Sequence, residues 1–176
     1  MSLSGETGIK KRKSNKLVME YRTAVSGDIE VITSLFIEFK DELTQFQPDF
    51  VKPFRVDKKP VGEIRELIAE KISNPKGQFL AAEEGGEIRG FAYAAVEDFK
   101  SDVYPTHSRG IVDHVWVHPK VRNHGVGGEL IDQTLAWLKK KNCPYARVVT
   151  VNKNPAKKLY KEKGFEDTLT IMLKKL

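Results

Sequence analysis

Apolar residues recur along the chain with two different periods. Residues 18–24 read as a strand, after which Ser26 or Asp28 can cap a helix. The apolar residues of that helix fall at helical spacing: Ile29, Ile32, Leu35, Phe36, Phe39 and Leu43. A second helix follows the proline-containing loop of residues 44–60, and its apolar residues share one face: Ile64, Leu67, Ile68 and Ile72.

The middle of the chain is typical of antiparallel strands. Two apolar runs, residues 79–82 and 88–96, flank the turn Glu84-Gly85-Gly86-Glu87. The glycine pair supplies the positive φ that a tight hairpin requires. A polar loop is expected around residues 101–109, followed by a strand over residues 111–117 that Pro119 ends.

The last third of the chain alternates helix and strand. A helix with apolar Val126, Leu130, Leu135 and Leu138 precedes a strand over residues 147–151. The next helix runs to Lys163. Its ends are marked by Asn154 as cap, Pro155 as first residue and Gly164 as stop. Residues 168–173 read as a final strand. This order predicts an α/β protein, a three-layer α/β/α sandwich around a mixed, mostly antiparallel sheet.

The chain has the size of one domain. Its 176 residues, 40% of them hydrophobic, suffice for one sizeable core and not for two packed catalytic domains. We therefore expect residues 17–176 to form a single domain. Residues 1–16 contain almost no apolar side chains and cannot offset the entropy cost of ordering, which predicts a disordered basic tail.

Most of the net charge of +6 lies in that tail. The tail has one acidic residue, Glu6, and five basic ones: Lys10, Lys11, Arg12, Lys13 and Lys16. The rest of the chain is nearly balanced, which argues against broad nucleic-acid binding by the domain. An arm that touches an acidic partner stays open as an alternative for the tail.

Membrane and secreted classes are disfavoured. No apolar run approaches the roughly 18 residues of a membrane helix, and no apolar stretch follows the basic N-terminal segment. Cys143 is the single cysteine, which rules out an internal disulfide. These features predict a soluble, cytoplasmic protein.

The candidate chemistry lies between a strand and a helix, in residues 118–128 (HPKVRNHGVGG). Three glycines there let a ligand approach the backbone, and the N–H groups of a helix N-terminus attract anions. Arg122 adds a full charge and a bidentate fork. No Gly-Lys-Ser/Thr follows, and Leu130 stands where a dinucleotide fingerprint needs glycine or alanine. The pattern predicts an anion-binding loop of another type, and a turn that merely needs glycine is the alternative.

Two motifs resemble those of the Gcn5-related N-acetyltransferase (GNAT) family. VDHVWVHPKVRNHGVGGELIDQTLAWL is similar to its acyl-CoA segment, a strand followed by Arg/Gln-x-x-Gly-x-Gly/Ala and a helix. About 30 residues later, VTVNKNPAKKLYKEKGF resembles its second motif, with Asn154, Ala156, Tyr160, Gly164 and Phe165 in place. The resemblance covers residues 18–173 and implies the acyl-CoA N-acyltransferase fold. It also implies acetyl transfer from acetyl-CoA, as cosubstrate, to a primary amine.

The resemblance implies which residues bind acetyl-CoA. The backbone of Val115, Trp116 and Val117 would bind the pantetheine arm and the thioester carbonyl. The pyrophosphate would be held by the Arg122 side chain and by the amides of Asn123, His124, Gly125, Val126, Gly127 and Gly128. The family often has glycine and a basic or polar residue where this chain has Asn123-His124. Asn154 would contact the cofactor arm, and a helix cap is an equally physical role for it.

Two residues are candidates for proton transfer. By the resemblance, Tyr160 would protonate the departing CoA thiolate. Asp113, with the side-chain parity of Val115 and Val117, is the candidate general base, acting directly or through water. The alternatives are that Asp113 only positions the substrate or caps a strand end, or that Glu97 is the base.

No metal site is expected from the histidines. His114 and His118 share strand parity, but their Cα atoms would lie roughly 13 Å apart, too far for one ion. Cys143 has no CxxC partner that would complete a zinc site.

The resemblance implies that the acceptor is an amine of a small molecule or a protein. Several carboxylates in the regions that choose the acceptor favour a cationic amine: Asp41, Glu42, Asp49, Asp57, Asp98 and Asp102. Solvated surface carboxylates are the alternative explanation. Family members are often dimers, which is compatible with a homodimer. A CoA-binding regulatory pseudoenzyme, or a nucleic-acid-associated module that uses the basic tail, is the alternative function, and Tyr160 with a complete loop argues against a dead site.

Overall fold

The computed structural model describes residues 18–49, 51, 60–100, 102–103 and 105–175. Its strands are β1 (Glu20–Thr23), β2 (Gly77–Glu84), β3 (Glu87–Phe99), β4 (His107–Val117) and β5 (Ala146–Val148). Its α-helices are α1 (Ile29–Thr44), α2 (Val61–Ser73), α3 (Val126–Lys140) and α4 (Ala156–Glu162). The expected tail and residues 50 and 52–59 of the expected loop lie outside the described residues.

The strands form one mixed sheet in the order β1-β2-β3-β4-β5. The first four strands are antiparallel to their neighbours, and β5 is parallel to β4. The hairpin between β2 and β3 turns at Gly85 and Gly86, whose φ values of +58° and +84° are in the left-handed region. The expected mixed, mostly antiparallel sheet is confirmed.

Different helices cover the two faces of the sheet. Phe79 and Phe91 pack on α1 and α2, whereas Leu80 and Ala92 face α3. This alternation follows the two-residue period of a strand. Burying a large side chain such as Phe91 contributes roughly 1.5–3 kcal/mol, so the helices are fixed by these two apolar layers. The three-layer α/β/α sandwich is confirmed.

A bulge interrupts the pairing of β3 with β4. Tyr93 pairs with His114 and Ala94 with Val112, so Asp113 is an extra residue on β4. As a result Asp113 and His114 both face α1 and α2, while Val115 faces α3. The expected parity of Asp113 with Val115 is therefore wrong, because a strict two-residue period does not survive the bulge.

Several elements differ from the sequence prediction in their bounds, and one is absent among the described residues. Residues 107–109, expected in a loop, belong to β4, and β5 ends at Val148 instead of residue 151. The strand expected over residues 168–173 is absent from the described sheet. Leu169, which is 92% exposed, and Ile171 alternate as a strand would, but alternation yields a strand only where a neighbour accepts its hydrogen bonds.

No described helix combines the length and the apolar composition that crossing a membrane requires.

A partly buried ion pair joins β1 to the start of α1. Arg22 donates to both carboxylate oxygens of Asp28 at 2.7 and 2.8 Å, and its Nη2 also donates to Glu83 Oε1 at 2.5 Å. Asp28 accepts from the Val25 N–H at 2.8 Å and makes no cap hydrogen bond to α1. Neighbouring Arg22 therefore holds the pKa of Asp28 below its usual value of 3.8.

Asp28→Asn is expected to lower the free energy of unfolding at pH 7 by about 1.5–3 kcal/mol, the range for a hydrogen bond to a charged group. Because folding lowers the pKa of Asp28, the stabilisation is complete above the unfolded pKa of about 3.9 and is lost as the pH falls through the folded pKa. Urea unfolding at pH 7 and pH 3 measures this, with Asp41→Asn on the exposed side of α1 as control. A difference between wild type and variant that does not shrink at pH 3 contradicts the ion-pair explanation.

Candidate functional site

β4 and β5 pair over a short stretch and then separate. The parallel ladder joins Gly110–Val112 to Ala146–Val148. β4 continues to Val117, whereas the chain after β5 leaves the strand and turns at residues 152–153. Beyond Val112, the edge of β4 that faced β5 therefore has no strand partner among the described residues.

This open edge carries the peptide groups of Val115 and Val117. His118 N–H donates to the Arg89 carbonyl of β3 at 2.7 Å, and residues of an antiparallel ladder alternate between their two neighbours. Val117 and Val115 consequently turn their N–H and C=O groups to the open edge, while Trp116 turns its own toward β3. Two of the three residues expected to bind through the backbone are thus placed to do so.

The loop before α3 turns through left-handed backbone. Asn123 has φ +63° and Gly125 has φ +82°, and asparagine tolerates this region better than most residues. Gly125 C=O accepts from the Glu129 N–H at 3.0 Å, which starts α3 and leaves the first amides of the helix without intrahelical partners. A Cβ on Gly127 would lie 3.3 Å from Leu159 Cδ2, so glycine allows α4 to approach the loop.

Arg122 is held by Glu42 of α1. Its Nη1 and Nη2 donate to the two oxygens of Glu42 at 2.6 Å each, and its Nε donates to Val117 C=O at 2.8 Å. Trp116 Nε1 also donates to Glu42 at 2.9 Å. The Arg122 hydrogen bonds hold the pKa of Glu42 below its usual range. Arg122 uses three of its five N–H donors in this way and keeps two for an anion.

A cavity of about 530 Å³, the gap cavity, lies at the separation of β4 from β5. Phe39 and Glu42 line it from the α1 side of the sheet, and Ile131 lines it from α3 on the other side. The cavity therefore passes through the gap in the sheet. It is also lined by most of the residues expected to bind the cofactor: Val115, Trp116, Val117, Arg122, Asn123, Gly125, Val126, Gly127, Gly128 and Asn154. His124 is exposed instead, with its Nδ1 2.7 Å from the Arg122 carbonyl.

Tyr160 and Asn154 line the same cavity from α4 and the residues before it. Asn154 Oδ1 accepts from the Ala156 N–H at 2.9 Å, so its role as helix cap is confirmed. Tyr160 is buried, and its ring meets Phe165 edge to face. Burial raises the pKa of Tyr160 to about 12, so its hydroxyl is protonated at neutral pH and suits a proton donor.

A second cavity of about 440 Å³, the α2-side cavity, lies on the α2 face of the sheet. It contains both candidate bases, Asp113 and Glu97. Asp113 lies two residues from Val115 of the gap cavity, a step of about 7 Å along a strand. The two cavities therefore approach each other where β4 leaves β5.

Asp113 is paired rather than free. Its Oδ2 accepts from Lys71 Nζ at 2.7 Å and lies 3.1 Å from His114 Nε2. Burial raises the pKa of Asp113, but His114 and Lys71 outweigh burial, and the pKa falls below 3.8. Burial beside Phe36 and Phe39 lowers the pKa of His114 to about 3, so this imidazole is neutral at pH 7.

Sequence reasoning missed Lys71, Arg147 and the role of Glu42. Lys71 and Arg147 belong to elements far from the glycine loop and line the α2-side cavity. Glu42 was expected near the acceptor, and its partner Arg122 is 80 residues away. The described residues contain no group of three or more His, Cys, Asp or Glu side chains placed to hold a metal ion.

Comparison with known proteins decides the family. Residues 39–165, more than half of the chain, match the model of the acetyltransferase (GNAT) family. The chain belongs to the GNAT acetyltransferase family. The glycine loop, the open edge of β4 and Tyr160 of this GNAT chain all lie within the matched residues. No curated protein sequence matches the chain.

Solved structures share the GNAT fold with this chain. An aminoglycoside N-acetyltransferase in complex with CoA has a TM-score of 0.72 at 18% identity, over 93% of this chain and 97% of that one. A predicted acetyltransferase from Clostridium acetobutylicum with acetyl-CoA has a TM-score of 0.69 at 22% identity, over 90% and 96%. A transcriptional regulator from Bacillus halodurans has a TM-score of 0.67 at 18% identity, over 90% and 100%. Such low identities show the fold alone.

Proposed function

We propose that the chain is an acetyl-CoA-dependent N-acetyltransferase that acetylates a primary amine. The observation that carries the proposal is the gap cavity, where the open edge of β4, the N-terminus of α3 and Tyr160 meet. Two GNAT neighbours contain CoA or acetyl-CoA, which supports this ligand for the present chain.

The residues around the gap cavity fit acetyl-CoA. The peptide groups of Val115 and Val117 on the open edge are suited to the amide-rich pantetheine arm, because an unpaired strand edge accepts a further strand-like partner. The amides of residues 125–128 and the two spare N–H donors of Arg122 would hold the pyrophosphate. Asn154 lines the same cavity and would contact the cofactor arm. Acetyl-CoA supplies the activated acetyl group, and the chain supplies position and proton transfer.

The amine must lose a proton to react. A lysine-like amine has a pKa of ~10.4, so its free-base form at pH 7 costs roughly 4.6 kcal/mol. Asp113 is ionised at neutral pH and would hold the ammonium and take up its proton, directly or through water. The nitrogen then forms a bond to the acetyl carbon while the carbon–sulfur bond breaks, and the Tyr160 hydroxyl donates its proton to the departing sulfur. The second proton, which the nitrogen sheds as it becomes an amide, would restore the Tyr160 hydroxyl directly or through water.

Acetyl-CoA is expected to raise the melting temperature by roughly 5–10 °C at 100 times its Kd, from a linkage of about 2.7 kcal/mol. NAD and ATP should do much less. Lys158→Glu should weaken binding about 10-fold at low salt, because the exposed Lys158 lines the gap cavity and the ligand is polyanionic. Thermal shift and calorimetry measure both effects.

Lys139→Glu makes the same charge change in the last turn of α3, outside the gap cavity, and serves as the matched control. Release of free thiol with a panel of amines then tests transfer. Equal stabilisation by all three ligands contradicts the cofactor assignment. Tight acetyl-CoA binding without transfer to any amine would favour a regulatory protein over an enzyme.

A further inference from the structure

The α2-side cavity has an apolar floor and charged ends. Tyr93, Ile111 and Val149 line its middle. Lys71 and Asp113 stand at one end, and Glu97 and Arg147 stand at the other. A ligand that fills this cavity therefore meets apolar surface between two polar regions.

At one end, a single carboxylate faces two guanidinium groups. Glu97 Oε1 accepts from Arg109 Nε at 2.5 Å and from Arg147 Nε at 3.2 Å. The hydrogen bond from Arg109 is the shorter of the two, and the Arg109 side chain is 17% exposed against 42% for Arg147. Because Arg109 already neutralises Glu97, the charge of Arg147 is in excess at this end. Only the Nε of Arg147 donates to a described residue, so both of its terminal nitrogens are available to a ligand.

The other end has as many cations as anions. Asp113 faces Lys71 and, further off, Lys40, whose ammonium lies over the rings of Phe36 and Phe39. Burial lowers the pKa of Lys40, which shows that its site is partly desolvated. Glu70 lines the rim of the cavity as an exposed carboxylate and offsets part of this charge. The cavity as a whole does not present the acidic surface that a polycationic acceptor requires.

Two of the carboxylates expected to attract a cation, Glu42 and Asp98, are engaged elsewhere. Glu42 binds Arg122 in the gap cavity, and Asp98 accepts from Lys76 at 3.2 Å and from Ser108 at 3.1 Å. Neither carboxylate is left free to bind an ammonium group. Among the cations that line the α2-side cavity, Lys71 is paired with Asp113, so Arg147 is the one whose charge is available to an anionic group.

We propose that the acceptor is an amine that also carries a carboxylate, separated from the nitrogen by an apolar chain, and that Arg147 binds that carboxylate. This inference rests on the acetyl transfer proposed above. The amine lies at Oδ1 of Asp113, next to the gap cavity, because Lys71 and His114 contact the other oxygen, Oδ2. The apolar chain of the acceptor then crosses the apolar floor. Arg147 pairs in register with Ile111, two residues before Asp113, so the Cα atoms of Arg147 and Asp113 lie about 8 Å apart. A flexible amino acid with its amine at the end of the chain spans such a distance.

Acetylation rates of three probes test the proposal: 6-aminohexanoate, hexylamine and cadaverine. With wild type, kcat/KM for 6-aminohexanoate is expected to exceed that of the other two by about 10-fold. Arg147→Gln should remove this preference and leave hexylamine within about twofold of wild type, and Arg147→Lys should restore part of it. Arg65→Gln is the matched control, because Arg65 pairs with Glu30 and does not line the cavity.

The proposal is overturned if wild type acetylates hexylamine or cadaverine as fast as 6-aminohexanoate. It is also overturned if Arg147→Gln lowers the rates of all three probes equally, and acetyl transfer stands in both cases. Failure of acetyl transfer itself appears separately, as the absence of a thermal shift with acetyl-CoA or the absence of thiol release with every amine. In that case an NMR titration still decides. The carboxylate site is supported if the amide signals of the cavity residues shift at an about 10-fold lower concentration of 6-aminohexanoate than of hexylamine. It is overturned if the two probes shift these signals at equal concentrations.

Discussion

Replacing Tyr160 by phenylalanine is expected to lower kcat by about 10- to 1000-fold, within the range that positioned proton transfer contributes. The ring is buried at the gap cavity, and burial raises the pKa of the hydroxyl to about 12, so it carries a proton at every pH used for assay. The substitution keeps the ring and its contact with Phe165 and removes only the donor. Steady-state rates with saturating acetyl-CoA measure the effect.

Binding and stability separate this role from packing. Acetyl-CoA affinity should be unchanged in Tyr160→Phe, and the free energy of unfolding should stay within about 1.5 kcal/mol of wild type, the size of one hydrogen bond. Tyr21→Phe is the control, because Tyr21 is half-buried on β1 and does not line the gap cavity. An unchanged kcat with a lowered melting temperature would make Tyr160 a packing residue and leave the thiolate to depart without an acid.

Asp113→Asn is expected to lower kcat by about 100-fold at pH 7, the lower end of the range for a general base. The pKa of Asp113 lies below 3.8, so the carboxylate is ionised throughout the assay range and the loss is not caused by its own titration. High pH should restore part of the rate, because the amine then loses its proton without help. A pH–rate profile from pH 6 to 9 measures this, and acetyl-CoA affinity should barely change.

Asp98→Asn provides the matched control for Asp113. Asp98 is exposed near the end of β3, where it pairs with Lys76, and it does not line either cavity. If Asp113→Asn keeps wild-type rates over the whole pH range, Asp113 is structural and the proton passes to Glu97 or to an ordered water.

Features set by neighbouring residues were predictable from the sequence. The hairpin at Gly85-Gly86, the Asn154 cap and the stop at Gly164 each depend on the backbone preferences of one or two residues. The amphipathic helices α1 and α3 follow from their own periodicity. The glycine loop was found for the same reason, since its signal is contained in a few adjacent positions.

Features set by distant partners were not predictable in this way. The bulge at Asp113 depends on how β4 meets β3, and the pairing of Glu42 with Arg122 depends on how α1 crosses the sheet. The apolar alternation of residues 168–173 looked like a strand because a sequence records side chains and not the neighbour that a strand needs. The charge excess at Arg147 likewise appears only when Arg109 and Glu97 are brought beside it.

The bulge in β4 also determines where this protein tolerates a change of length. Removing Asp113 itself would restore strict alternation and leave Val112, His114 and Trp116 in their own layers, so only the candidate base would be lost. Inserting a residue elsewhere in β4 would instead turn the side chains on one side of the insertion into the wrong layer. An insertion between Gly85 and Gly86 does not change which face of the sheet any side chain occupies, because that turn is exposed and the strands on both sides keep their register. Libraries that vary the acceptor site should therefore substitute residues around Asp113 and vary length only at exposed turns such as this hairpin.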